Sequence, residues 1–163
     1  MIDLWSRSLA DTHDIAAAIS SIVRPRDIIV LSGDMGAGKT AFVTGFAKGL
    51  GVSDDEYVSS PTFTLVHTHD TGRIPMYHAD LYRLTSTGEI ADLGLREHAD
   101  MGAVVLVEWG DVALDVLGDV MIVRIDADDD DETARRIEIS IVGHGWDTRW
   151  EQLKRTVSKW VEQ

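Results

Sequence analysis

The 163-residue sequence contains no cysteine, no asparagine, only three prolines and only four lysines. The missing cysteine removes thiolate nucleophiles, redox pairs and zinc–thiolate sites, and it suits a reducing compartment. A chain of this length buries roughly 68–70% of its unfolded surface and so needs no disulfide to hold a core. Its 44% apolar and 26% charged composition is ordinary globular usage, with no linker or repeat, and predicts a single domain over residues 1–163. No apolar run approaches the roughly 18 residues of a membrane span, and Met1 to Ala18 carries Asp3, Asp11 and Asp14 where an export signal has a basic region. A cytoplasmic protein away from membranes is the expectation. Positive charge is scarce as well: 15 Lys+Arg stand against 28 Asp+Glu, a net charge of −13. That excess repels polyanions over a Debye length of about 8 Å, so strong direct binding of nucleic acid is not expected and any bound phosphate needs a local device.

The device lies at residues 33–40. Gly33-Asp34-Met35-Gly36-Ala37-Gly38-Lys39-Thr40 has the spacing G-x-x-x-x-G-K-[ST], a loop whose backbone N–H groups turn inward around phosphate oxygens. Lys39 would reach the β- and γ-phosphates of a nucleotide, and the Thr40 hydroxyl would coordinate Mg²⁺. Chance gives the pattern in about one chain of this length in 200. Context supports it. Ile28-Ile29-Val30-Leu31 upstream is a short apolar run suited to a buried parallel strand. Downstream, Phe42, Phe46 and Leu50 recur every four residues, with Gly49 and Gly51 as a stop. One of the four lysines stands in this loop.

Periodicity supplies the remaining elements. Asp11 to Val23 reads as a helix capped by Asp11 or Thr12, Ser59 to Val66 leads into a strand paired with Ile74 to Ala79, and Glu89 to His98 reads as one short helix. Val104 to Val107 is a second continuous apolar strand. Val120 to Ile125 and Arg136 to Val142 form an antiparallel hairpin around Asp126 to Glu132, which holds six of the 28 acids and reads as a solvated turn. The fold class is therefore α/β, a P-loop NTPase with a mixed sheet flanked by helices. Trp146, Trp150, Leu153, Val157 and Trp160 recur at spacings of 4, 3, 4 and 3, an amphipathic helix over about 146–161 that either packs on the sheet or docks a partner.

Further chemistry gathers at strand ends. Glu108 follows the strand 104–107 directly, where a P-loop enzyme places a carboxylate near Mg²⁺. Trp109 beside it either covers the nucleotide or fills core. In His78-Ala79-Asp80-Leu81-Tyr82-Arg83, Asp80 could orient water or hold Mg²⁺ through water, or simply pair with Arg83, while His78 reads as a core histidine. His67-Thr68-His69-Asp70 has metal-like spacing but lacks a third ligand cluster.

Four blocks in this order, Gly33 to Thr40, Ser60 to Val66, Tyr77 to Leu84 and Glu108-Trp109, closely resemble the TsaE family from about residue 8 to residue 142. The resemblance implies an ATPase using ATP and Mg²⁺ that supports formation of N6-threonylcarbamoyladenosine next to the tRNA anticodon. It implies work beside a transferase subunit and that subunit's paralogous partner, which grip the tRNA. By the family pattern Lys39 and Thr40 hold phosphate and Mg²⁺, Glu108 completes the metal site, Asp80 and Trp109 serve hydrolysis, and Thr62 sits in a switch-like loop. The pattern also places Thr12 and Arg135 around the base and ribose, although the acidic run Asp128 to Glu132 departs from what an anionic ligand would favour. Two alternatives are a small P-loop kinase and a non-hydrolysing nucleotide-gated binding module. A kinase usually has arginines in a lid over the phosphates, and residues 98–122 contain no Arg or Lys. A GTPase would need the Asn-Lys-x-Asp segment that an asparagine-free chain cannot supply.

Overall fold

The computed structural model describes residues 1–34, 36–56, 58–59, 61, 66–82, 84, 86–109 and 113–161. These residues form a sheet of seven strands, β1 (Ile2–Ser6), β2 (Ile28–Ser32), β3 (Val66–His69), β4 (Met76–Asp80), β5 (Val104–Glu108), β6 (Val120–Ala127) and β7 (Arg135–Val142), in the order β1-β7-β6-β2-β5-β4-β3. β2 lies parallel to both β5 and β6, and β4 lies parallel to β5, while β1, β3 and β7 pair antiparallel. The expected mixed sheet and its hairpin are both present. The helices are α1 (Leu9–Ser20), α2 (Lys39–Leu50), α3 (Thr87–Asp92), α4 (Leu95–Asp100), α5 (Leu114–Leu117) and α6 (Trp150–Thr156).

Both faces of the sheet are covered, which is why its central strands β2 and β5 are apolar up to their last residues, Ser32 and Glu108. Because successive strand residues point to opposite faces, Ile29, Leu31, Val104 and Leu106 join the core under α1, α2 and the C-terminal segment. Ile28, Val30, Val105 and Val107 join the core on the side of α3 and α4. The same alternation carries His78, Asp80 and Glu108 onto the α2 side, since Met76, Val104 and Leu106 already lie there. Strand parity therefore delivers the polar strand ends to the start of α2.

Helices α1 and α2 approach so closely that α2 presents glycine to its neighbour. A Cβ on Gly45 would lie 2.5 Å from both Cα and O of His13. Gly45→Ala should therefore lower stability by about 1–3 kcal/mol through overpacking, despite the better helix propensity of alanine. Gly88, in α3 and with open space around its Cβ position, is the control. Thermal unfolding should place Gly45→Ala several degrees below the parent and Gly88→Ala at or above it. A Gly45→Ala protein as stable as Gly88→Ala would contradict the close packing.

Several elements differ from the sequence expectation. Helix α1 is capped by Ser8, not by Asp11 or Thr12: Ser8 Oγ accepts from the Asp11 N–H at 3.1 Å, and the Asp11 carboxylate accepts from the Arg7 N–H at 2.9 Å. This reciprocal pairing satisfies donors on both sides of the helix start. The helix expected over 89–98 is two short helices, broken where Gly94 takes φ +65°. The helix expected over about 146–161 is continuous only through α6. Short 3₁₀ turns at Asp147–Arg149 and Ser158–Trp160 flank it, and Val161 bridges to Leu4 of β1. Pairing with the sheet edge ends the helix before its apolar period does. Its stripe packs on the core, with Trp146, Leu153 and Val157 buried and Trp150 and Trp160 partly so, and the docking alternative gives way to packing.

Candidate functional site

The loop 33–40 leaves β2 and enters α2, so it is anchored at both ends by buried elements. Gly33 has φ +132°, and a Cβ there would collide with the carbonyl of Ile125 on β6. Only glycine lets the chain leave the sheet at that point. Gly38, in a left-handed conformation, stands at the N-terminus of α2, which has no side-chain cap. The first N–H groups of the helix point out of its start, where the helix dipole favours an anion. Lys39 is nearly buried, donates to Gly33 O and Asp34 O at 2.8 Å each, and places Nζ 4.2 Å from the centroid of the Trp109 ring.

Thr40 opens α2 facing β5. Its hydroxyl lies 3.3 and 3.4 Å from the two carboxylate oxygens of Glu108, a residue 3% exposed. Asp80 is the register partner of Glu108 across β4 and β5, is itself buried, and accepts the Tyr82 N–H at 3.0 Å. Two buried carboxylates side by side with a hydroxyl are hard oxygen donors, and their mutual repulsion favours a small dication between protein and phosphate. Trp109 closes the site from the other side. It is half-buried, takes φ +61°, packs on the α3–α4 core, and meets Tyr82 at 5.1 Å between ring centroids. The ring rests on the core, as the core-filling reading expects, and its face also meets the ammonium of Lys39. A bulky residue in the left-handed region is uncommon and marks a position held by its surroundings.

His78 is the site residue that sequence reasoning missed. It is fully buried, and Nε2 lies 2.5 Å from Glu108 Oε2. The signal was available: His78 stands two residues before Asp80 on a strand, hence on the same face. Behind it His67 packs edge-on, with ring centroids 6.4 Å apart, and burial, followed by the nearby His78 and His69, pushes the His67 pKa down. His69 instead pairs with Glu56 at 3.2 Å. Among the described residues no group of three or more His, Asp or Glu is arranged to hold a metal by itself.

Arg135 reaches the loop from β7: Nε donates to Ala37 O at 2.8 Å, and Nη1 donates to Glu132 O and Ala134 O at 2.7 Å each. Thr12 is 2% exposed, its hydroxyl 2.7 Å from Oγ of Ser6, which is the register partner of Arg135 across β1 and β7. The acidic turn closes on itself, as Asp131 accepts from the Thr133 hydroxyl and N–H, contacts that hold its carboxyl below the usual range. Met35, Thr62 and Arg83 lie outside the described residues.

Strand, glycine-rich loop and helix on a mixed sheet with a carboxylate at the neighbouring strand end define a P-loop NTPase fold. Residues 6–137 match the family model for the threonylcarbamoyl adenosine biosynthesis protein TsaE. A tRNA threonylcarbamoyladenosine biosynthesis protein TsaE from Bacillus subtilis is 39% identical over 147 residues, 89% of each chain. One from Treponema pallidum is 39% identical over 106 residues, 65% of this chain and 76% of the relative. A crystal structure of Bacillus subtilis YdiB superposes with a TM-score of 0.79 at 31% identity, covering 95% of this chain and 97% of that one. The chain belongs to the TsaE family. No helix among the described residues is long and apolar enough to cross a membrane.

Proposed function

We propose that this protein is a Mg²⁺-dependent ATPase that supports threonylcarbamoylation of tRNA adenosine, acting beside a transferase subunit and that subunit's paralogous partner. The observation that carries the reading is the convergence of Lys39, Thr40 and Glu108, which β2, α2 and β5 bring to one point. In this reading the backbone of residues 33–40 and the start of α2 bind the phosphates, and Lys39 neutralises their outer oxygens. Thr40 and Glu108 hold Mg²⁺, which supplies charge neutralisation at the transferring phosphoryl group. Trp109 excludes water from one side of Lys39. Asp80 orients the attacking water, its carboxylate fixed by the Tyr82 N–H. Thr62, in the switch-like role, and the positive charge that speeds turnover depend on the partners. The acidity of the chain suits this division, in which other subunits grip the tRNA.

The test is ATP turnover with and without the transferase pair and tRNA. Stimulation by the pair is expected, and an unchanged rate would count against the partnership and favour a stand-alone kinase or binding module. At saturating Mg²⁺, Asp80→Ala and Glu108→Ala should retain ATP binding while losing about 100-fold in turnover. Parent-like turnover by both variants with the partners present would remove their catalytic roles.

A further inference from the structure

His78 belongs to none of the roles above, yet among the described residues it makes a closer contact with Glu108 than Thr40 does. It is fully excluded from solvent, and its contact with Oε2 at 2.5 Å is shorter than either contact made by Thr40. An ionised carboxylate only accepts hydrogen bonds, so this contact requires the proton on Nε2. The other ring nitrogen has no hydrogen-bond partner among the described residues. Position is fixed from both neighbouring strands: β4 sets the height of the ring beside Leu106 of β5, and His67 of the antiparallel strand β3 stands opposite with its ring packed edge-on.

We propose that His78 is a positioning residue for the Mg²⁺ site: by donating from Nε2 to Oε2 it fixes the plane of the Glu108 carboxylate beside the Thr40 hydroxyl, the two groups that would hold the metal. The inference rests on the Mg²⁺·ATP reading of the loop. Its physical basis is that Glu108 ends a strand on a flexible three-torsion side chain, and Thr40 contacts both of its oxygens almost equally, at 3.3 and 3.4 Å. Thr40 alone therefore does not choose an orientation. Hydrogen-bond partners behind a metal-binding carboxylate commonly change metal affinity by about 10–100-fold.

Two substitutions separate positioning from packing. The amide nitrogen of Gln superposes on the imidazole Nε2 position, whereas that of Asn superposes on Nδ1, so only His78→Gln can donate to Glu108. Calorimetric titration of ATP at graded Mg²⁺ should show His78→Asn needing about 10–100-fold more Mg²⁺ for half its affinity gain, with His78→Gln close to the parent. All three proteins should bind ATP equally in EDTA. Equal shifts in both variants, or none in either, would overturn the role of His78 alone. Parent protein whose ATP affinity ignores Mg²⁺ would overturn the metal reading and this inference together. Should the Asn variant fail to fold, ¹⁵N spectra of the parent imidazoles decide: a proton on Nε2 of His78 is expected, and a proton on Nδ1 would overturn the proposal.

Discussion

Replacing Lys39 by alanine should abolish detectable ATP binding, a loss of about 100-fold or more in affinity, while leaving a folded protein. The magnitude follows from what the side chain does in two directions. Toward a nucleotide it offers a compact positive charge and its remaining N–H, and a charge-assisted hydrogen bond worth about 1.5–3 kcal/mol together with the attraction of that charge for the other phosphate oxygens reaches a factor of about 100. Toward the protein it donates to the carbonyls of Gly33 and Asp34 at 2.8 Å and lies under the Trp109 ring. The loop then loses a clamp as well as a charge. Arginine is no remedy, because a planar guanidinium cannot place donors on both carbonyls and enter the cradle as a compact ammonium does. The surroundings heighten the dependence. In a chain of net charge −13, with Glu108 and Asp80 buried nearby, little else offsets the repulsion of a triphosphate. Calorimetry with Mg²⁺·ATP measures the effect, and a cooperative unfolding transition near that of the parent shows that the fold survives. Affinity retained by Lys39→Ala would remove the loop from the nucleotide site.

The loop, its strand and its helix were legible because each signal is local. A four-residue apolar run, glycines at fixed offsets and a four-residue apolar period are written consecutively in the chain. Glu108 was legible for the same reason, as the polar residue ending a second apolar run. What escaped depends on partners far along the chain. β1 is a plain alternation of buried Ile2, Leu4 and Ser6, but a five-residue strand gains meaning only from its pairing with β7 more than a hundred residues later. The Ser8 cap lost to Asp11 in the sequence reading because both residues take part, one on each side of the same helix start. The continuous C-terminal helix failed because backbone pairing with β1 overrides amphipathic periodicity. His78 was read as core, correctly for its burial, yet burial of an imidazole does not reveal which carboxylate it faces. That requires the register of β4 on β5, where Asp80 stands beside Glu108.

The C-terminal segment is fastened by an ion pair whose loss should be the largest stability effect of any single substitution considered. Arg149, 3% exposed, reaches back 122 residues to Asp27 and makes two bonds to its carboxylate, at 2.6 and 2.8 Å. The same guanidinium donates to Ile22 O and Gly145 O and lies 3.8 Å over the Trp146 ring. Asp27 in turn accepts the Arg24 N–H at 2.8 Å, so the pair ties the turn before β2 to the segment after β7. A buried pair of this kind need not outperform a hydrophobic replacement, but removing one partner strands the other charge, at about 3–5 kcal/mol. Arg149→Met should therefore lose that amount in urea unfolding, and Asp27→Asn a comparable amount. The double variant should lose clearly less than the two together, because no charge is left stranded. Additive losses would show that the residues act separately. Distance supplies the second half of the prediction. Asp27 precedes β2 and the phosphate loop follows it, so the pair stands about 16 Å from the loop across a five-residue strand. In conditions where Arg149→Met remains folded, its Mg²⁺·ATP affinity should match that of the parent. A protein that kept its stability but lost nucleotide would assign this arginine to the site, whereas one that loses stability alone assigns it to holding the turn before β2 and the C-terminal segment together.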